Sequence, residues 1–265
     1  MKKKNKQPLV SIIINCFNGE KFLKKSINSA IKQTYKNIEI IFWNNNSTDN
    51  SQKIVSNFSD SRIRCFKSKK FLKLYEARNE AIKISKGKYI SFLDVDDWWV
   101  PKKISDQIKL IEKKNLTLVY SNYYIFNEKK KIKKIYTKRK LPTGYISQKL
   151  LDKYDIGILT VLVKKKVFKE KKFNKKYEII GDFDFFTNLS IKDKFGCIQD
   201  PLAYYRLHEN NISTTRRNLH IKEMQDWLRS NEIKLKKKNL NLNAQKYYLN
   251  KLKIKNLLNK FISVF

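Results

Sequence analysis

Tyr89-Ile90-Ser91-Phe92-Leu93-Asp94-Val95-Asp96-Asp97-Trp98-Trp99-Val100-Pro101 runs from an apolar, strand-like segment straight into three carboxylates within four residues. Carboxylates that close repel one another unless a cation lies among them, and hard divalent ions prefer carboxylate oxygens while keeping positions open for water or phosphate. The same letters also describe a solvated turn before a capped helix, since Asp favours turns and N-caps and Pro101 suits a first helical turn. The surrounding chain has to decide between the two.

Upstream of this stretch the pattern alternates. Residues 9–15 are a β-branched run that predicts a buried strand, and 20–33 carry Phe22, Leu23, Ile27, Ala30 and Ile31 at helical spacing. A strand is expected at 38–43, a helix at 49–58, a strand at 62–67, a helix at 74–85 closed by Gly87, and the strand 89–93. Such alternation predicts a parallel, doubly wound sheet with its ligand at the carboxyl ends of the strands, so loops 16–19, 44–48 and 94–97 should share one edge.

Downstream the alternation fails. The pattern predicts a helix to 113, a strand at 116–126, a basic hairpin-like stretch at 128–139, a strand at 159–164, a helix at 181–191 and an extended segment at 202–207. This half should complete the sheet and build the second side of a pocket. From residue 219 the chain reads as helical and basic, including Lys234-Leu235-Lys236-Lys237-Lys238. Tyr248, Leu252, Leu258, Phe261, Ile262 and Phe265 fall near one face, with Lys246, Lys253 and Lys260 elsewhere, which fits either an acidic membrane surface or a helix packed on the main domain.

Composition narrows the class. A chain of 265 residues accommodates one large domain, or one domain with an appendage, and 41% apolar with 13% aromatic residues excludes a disordered chain. Lys and Arg number 59 against 24 Asp and Glu, a net charge of +35 that raises affinity for any polyanion. The basic residues are spread throughout and form no nucleic-acid motif, so no specific nucleic acid is expected as a partner. Cys16, Cys65 and Cys197 are odd in number and far apart, with only His208 and His220 available beside them, which points to a reducing, cytoplasmic compartment without a structural zinc site. Met1-Lys2-Lys3-Lys4 imitates the start of a signal peptide, but the apolar run 9–14 is too short for one. No run approaches the roughly 18 apolar residues that suggest a membrane span. The expectation is a cytoplasmic protein, peripheral at the inner face of the membrane.

The ordered set Val10-Ser11-Ile12-Ile13-Ile14-Asn15-Cys16-Phe17-Asn18-Gly19, Gln33-Thr34-Tyr35-Lys36-Asn37, Asn46-Ser47-Thr48-Asp49, Ala77-Arg78-Asn79 and Asp94-Val95-Asp96-Asp97 closely resembles the family 2 glycosyltransferases. Gly181-Asp182-Phe183-Asp184 and Tyr205-Arg206-Leu207-His208 resemble further elements of that family in the expected order. The resemblance implies the GT-A nucleotide-diphospho-sugar transferase fold, an α/β architecture with a Rossmann-like mixed sheet flanked by helices. It places that domain over residues 8–215, with a basic helical C-terminal extension over 216–265.

It also implies an inverting, metal-dependent transferase of hexosyl or N-acetylhexosaminyl type. A sugar would pass from a nucleotide-sugar donor, UDP-sugar first, to a hydroxyl of a cell-surface polysaccharide or lipid-linked glycan precursor, with Mn²⁺ or Mg²⁺. By position, Asp182 is the catalytic base, with Asp184 as the alternative. Asn15, Phe17, Asn44, Asn45, Arg78 and Asp96 are donor-binding, and Asp97 and His208 are metal ligands, with Asp94 supporting the acidic loop. Two departures stand out: Asn44-Asn45-Asn46 where the family often has Asp-Asp-Gly, and Gly181-Asp182 where it commonly has Glu-Asp. Asn both donates and accepts, so it has the capacity for base recognition without requiring the same specificity. A catalytically inactive sugar-nucleotide-binding scaffold and a nucleic-acid-binding protein are the alternatives.

Overall fold

The computed structural model describes residues 7–209, 211 and 215–262. Val10–Cys16 (β1) is apolar almost throughout because it lies inside a sheet covered on both faces. Successive side chains leave opposite faces of a strand, so Ile12 and Ile14 enter one core and Ile13 enters another. β1 pairs in parallel with Ile38–Asn44 (β2) and with Tyr89–Phe92 (β4), and β2 pairs in parallel with Ile63–Lys67 (β3). Helices Glu20–Ile31 (α1), Ser51–Ser56 (α2) and Leu74–Ile84 (α3) connect these strands. The alternating half therefore matches expectation, with its ends moved by two residues or fewer.

The second half is mixed. It contributes Trp98–Trp99 (β5), Leu118–Asn127 (β6), Ile132–Ile135 (β7), Leu162–Lys164 (β8) and Phe195–Leu207 (β9). The strand order is β3-β2-β1-β4-β8-β6-β9-β5, with β7 paired to β6. β8 runs antiparallel to β4 and β6, β9 runs parallel to β6, and β5 runs antiparallel to β9. The parallel sheet expected from alternation is thus confined to four strands. After a turn at 95–96 the chain forms β5, where the Trp98 ring stacks on Tyr204 at 4.7 Å, before Lys103–Lys113 (α4) begins.

Helices Ser147–Asp152 (α5), Val167–Glu170 (α6) and Gly181–Ser190 (α7) complete the domain, and Arg217–Lys236 (α8) and Asn243–Ile262 (α9) follow. A third apolar cluster joins Met224, Trp227 and Leu228 of α8 and Leu249 of α9 to Leu151, Ile180 and Phe183. The C-terminal segment therefore packs on the helix that carries Asp182. Farther along α9, Ile254, Leu257 and Leu258 stay exposed, as does Tyr247 at 72%. The side chains of Phe261 and Ile262, and all of Phe265, lie outside the described residues.

Candidate active site

Loops 16–19, 44–48 and 94–97 share one edge of the sheet. The Asn45 amide donates to the Cys16 carbonyl at 2.7 Å, and the Leu93 amide to the Ile13 carbonyl at 2.9 Å. Asn18 and Asn46 adopt left-handed backbone, with φ of 50° and 62°. Asn tolerates that region better than other residues with a side chain, which explains how Asn46 fills a position where the family often has Gly. The Asn18 carboxamide oxygen accepts from the Thr48 amide at 2.9 Å, lacing the first loop to the second.

The two expected base-reading residues are occupied internally. Asn44 donates to the Gln52 carboxamide oxygen at 2.8 Å and accepts from the Ser47 amide at 2.8 Å. Asn45 donates to the Leu72 carbonyl at 2.8 Å and accepts the Leu72 amide at 3.1 Å. This latch brings Phe71 beside Phe17, an exposed aromatic pair with ring centroids 4.7 Å apart. Asn15 differs, because its carboxamide nitrogen is buried with no partner among the described residues, as is the Trp43 indole nitrogen on the paired residue of β2. An unpaired buried donor is costly, so two at neighbouring strand ends mark a place for an acceptor-bearing ligand.

The acidic loop divides its carboxylates among different partners. Asp94 accepts from the buried Arg78 guanidinium at 2.6 Å. Asp96 lies 2.8 Å from the His208 imidazole nitrogen Nε2. Asp97, only 2% exposed, accepts the Arg206 backbone amide at 2.9 Å. The Arg206 side chain returns to the loop, donating to the Asp96 carbonyl at 2.6 Å and pairing with Glu128. Burial, then the Asp94 charge, raises the Asp96 carboxyl above its ordinary range, while the His208 contact opposes it. Burial and the neighbouring charges push Asp97 well above that range. The metal role expected at Asp97 thus falls on the most enclosed carboxylate, while Asp96 and His208 form the more open pair. Among the described residues no three His, Cys, Asp or Glu side chains converge as a metal cage. Crowded carboxylates relieved by cationic charge fit a divalent ion that takes its remaining oxygens from a ligand.

Asp182 stands in the first turn of α7, where the helix dipole favours an anion. The Tyr75 hydroxyl donates to one oxygen at 2.9 Å and the Tyr154 hydroxyl to the other at 3.2 Å. Burial raises its pKa, and the Arg78 charge with the two hydroxyls pulls it back. Arg78 therefore acts on both the acidic loop and Asp182. Asp184 is engaged elsewhere, accepting from the Trp227 indole and the Asn188 amide at 2.9 Å each.

A Cβ on Gly181 would lie 2.4–2.7 Å from the Tyr75 ring, so the missing side chain makes room for the tyrosine that holds Asp182. That departure from the family pattern was the available signal for Tyr75; Arg206 lay within the Tyr205–His208 motif but was given no role of its own, and Tyr154 carried no signal. Beside Asp182 opens a cavity of about 470 Å³ between α7 and the C-terminal helices.

The chain matches the model of glycosyl transferase family 2 over residues 11–195. It is 34% identical to the Escherichia coli UDP-Glc:alpha-D-GlcNAc-diphosphoundecaprenol beta-1,3-glucosyltransferase WfgD, over 78% of this chain and 81% of that one. It is 49% identical to WfaP, an E. coli protein with the same description, over 44% of this chain; the match spans about half of WfaP, 47% of its length. Among solved structures, Staphylococcus aureus TarS 1–349 in complex with UDP-GlcNAc superposes with a TM-score of 0.66 at 16% identity, covering 83% of this chain and 66% of that one. The mannosyltransferase PcManGT of Pyrobaculum calidifontis, in complex with GDP-Man and Mn²⁺, gives 0.63 at 11% identity, covering 85% and 65%. These likenesses bear out the expected GT-A fold. The chain belongs to glycosyl transferase family 2.

Proposed function

We propose that this member of glycosyl transferase family 2 is an inverting transferase that moves a hexose from a UDP-sugar to a hydroxyl of a lipid-linked glycan precursor. The observation that carries the reading is Asp182, held by Tyr75 and Tyr154 and sharing Arg78 with the acidic loop. Asp182 takes the acceptor proton as the acceptor oxygen attacks the anomeric carbon. The bond from that carbon to the diphosphate oxygen breaks, and its electron pair leaves with the nucleoside diphosphate. A raised carboxylate pKa suits a base working near neutral pH. UDP-glucose and a sugar diphospholipid are favoured because the names of WfaP and WfgD specify them.

Asp96 and His208 would hold Mn²⁺ or Mg²⁺ at this edge, with Asp97 fixing the loop through Arg206. Bound there, the cation supplies positive charge for the growing charge of the leaving diphosphate. Phe17 and Phe71 offer ring faces to the base, Asn15 offers its unpaired amide, and Asn44 and Asn45 shape the loop between them. Residues 8–215 and 216–265 act together, and the exposed apolar residues of α9, set among lysines, lie on an acidic membrane. Among the described residues no helix is long and apolar enough to cross one.

The test supplies purified protein with UDP-glucose, Mn²⁺ and an N-acetylglucosaminyl diphosphate bearing an alkyl chain. A β-linked product is expected, with transfer falling ~100-fold or more in Asp182→Asn. Full turnover by that variant sinks the mechanism, and donor binding without transfer or hydrolysis returns the protein to the scaffold class.

A further inference from the structure

The solvent face of α1 is a ridge of lysine. Lys21, Lys25 and Lys32 recur at helical spacing on one side, while Leu23, Ile27 and Ala30 are buried on the other. With Lys24 they border a groove of about 540 Å³, closed by Glu128 at the start of the β6–β7 turn and by Arg206 of β9. The groove and the cavity beside Asp182 share no lining residue.

Its charge is unbalanced. Five cationic side chains, Lys21, Lys24, Lys25, Lys32 and Arg206, meet one carboxylate, Glu128. That carboxylate is already engaged, pairing with Arg206 and, at 2.6 Å, with Lys131. The Lys25 Nζ sits 3.4 Å from the centroid of the Trp98 ring, and the Arg206 guanidinium packs at 4.7 Å on the same indole and at 4.4 Å on Phe22. The fold thus holds two cations against one ring. Burial first, and then the Arg206 charge, lower the Lys25 pKa, and Glu128 offsets part of this. Like charges fixed so close are relieved by an anion among them, as crowded carboxylates are by a cation. Arg206 also joins the groove to the acidic loop, since its backbone amide holds Asp97 and its side chain holds the Asp96 carbonyl.

The chemistry of the cations selects the ligand. Ammonium groups are strongly hydrated point charges that meet phosphate oxygens without the planar fork that favours a carboxylate. From Lys21 to Lys32 they spread over roughly 16 Å of helix, enough for more than one phosphate. We propose that this groove is an anion site for phosphate groups, outside the donor edge and independent of the transferase reading. Two sources share that chemistry, the headgroups of an acidic lipid bilayer and a free diphosphate in solution.

The test compares Lys24→Gln/Lys25→Gln/Lys32→Gln with a control of equal charge, Lys113→Gln/Lys114→Gln/Lys166→Gln, whose lysines are exposed and outside the groove. Each full chain is sedimented with vesicles of phosphatidylglycerol and phosphatidylcholine, and is melted with pyrophosphate in buffer freed of divalent metal, so that no cation at the acidic loop draws the pyrophosphate there. Loss of three lysines from a bilayer contact should weaken vesicle binding about 100-fold, against a few-fold in the control. The rise in melting temperature with pyrophosphate should vanish in the groove variant and persist in the control. Wild-type protein that sediments with vesicles but is not shifted by pyrophosphate takes its phosphate from lipid headgroups, and the reverse result assigns a free diphosphate; either supports the site when the groove variant loses it. If the groove variant does not fold, Lys21→Gln/Lys24→Gln/Lys32→Gln, which leaves Lys25 on Trp98, carries the decision. Groove and control variants that lose binding equally, or wild-type protein that shows neither effect, overturn the proposal.

Discussion

Glu223 gives the sharpest test of how the C-terminal segment supports catalysis. It belongs to α8, is 5% exposed, and accepts the backbone amides of Glu178, Ile179 and Ile180 at 2.7, 3.0 and 3.1 Å. Those residues lead into α7, whose first turn carries Asp182, and the Ile179 carbonyl also accepts from the Tyr75 hydroxyl at 3.2 Å. Glu223→Ala strands three amides, each worth ~1–3 kcal/mol when left buried and unpaired. The terms are not additive, and relaxation admits water, so about 3–5 kcal/mol is expected in total, comparable to breaking a buried charged contact. At ~2–4 °C per kcal/mol for a large domain, the midpoint should fall by roughly 6–20 °C. Glu223→Gln keeps the shape and one acceptor and should lose about half as much, ~1.5–3 kcal/mol. Urea unfolding measures the stability change, and turnover measured well below the melting midpoint should drop in both variants because the Asp182 turn loosens. Glu223→Gln with wild-type stability and turnover would refute the reasoning.

Gly181→Ala should cost ~1–3 kcal/mol and most of the turnover, because its Cβ enters the Tyr75 ring; thermal melts and initial rates check this, and Tyr75→Leu in the same chain should recover stability but not rate. Replacing Tyr75 and Tyr154 by Phe removes two donors that favour the charged form of Asp182, so its pKa rises further and the acidic limb of the pH–rate profile moves to higher pH. Glu39 is a stability case: burial raises its pKa, but the Ser11 hydroxyl, the Lys86 amide and the Arg64 guanidinium outweigh it and hold it below the ordinary carboxylate range. A lowered folded-state pKa means stabilisation that is complete above the unfolded value and lost as pH falls through the folded one. The gap between wild type and Glu39→Gln in urea melts should therefore be large at neutral pH and shrink under acid.

The acidic loop shows how far a sequence motif carries a site. Three carboxylates between a strand and two tryptophans raised the expectation of a cation, and the alternation upstream placed loops 16–19 and 44–48 beside them. What each carboxylate does could not be read, since Asp94, Asp96 and Asp97 differ only in whether Arg78, His208 or the Arg206 amide faces them. Asn44 and Asn45 illustrate the same limit, their partners Gln52 and Leu72 being chosen by loop shape. Gly181 was visible as a departure, but its cause, the Tyr75 ring, was not.

By itself the sequence determined the β1–β4 alternation and the shared edge of its loops, because period-2 and period-3.6 burial and turn residues act between near neighbours in the chain, and its ordered motifs carried the resemblance to the family. Tertiary structure alone decided the antiparallel return of β8, the tyrosine pair on Asp182 and the docking of α8 and α9 beside the cavity. Tyr75 and Asp182 are 107 residues apart, and Glu223 and Glu178 are 45 apart. Bonds of that reach depend on where folded elements meet in space, and no local pattern of residues records that meeting.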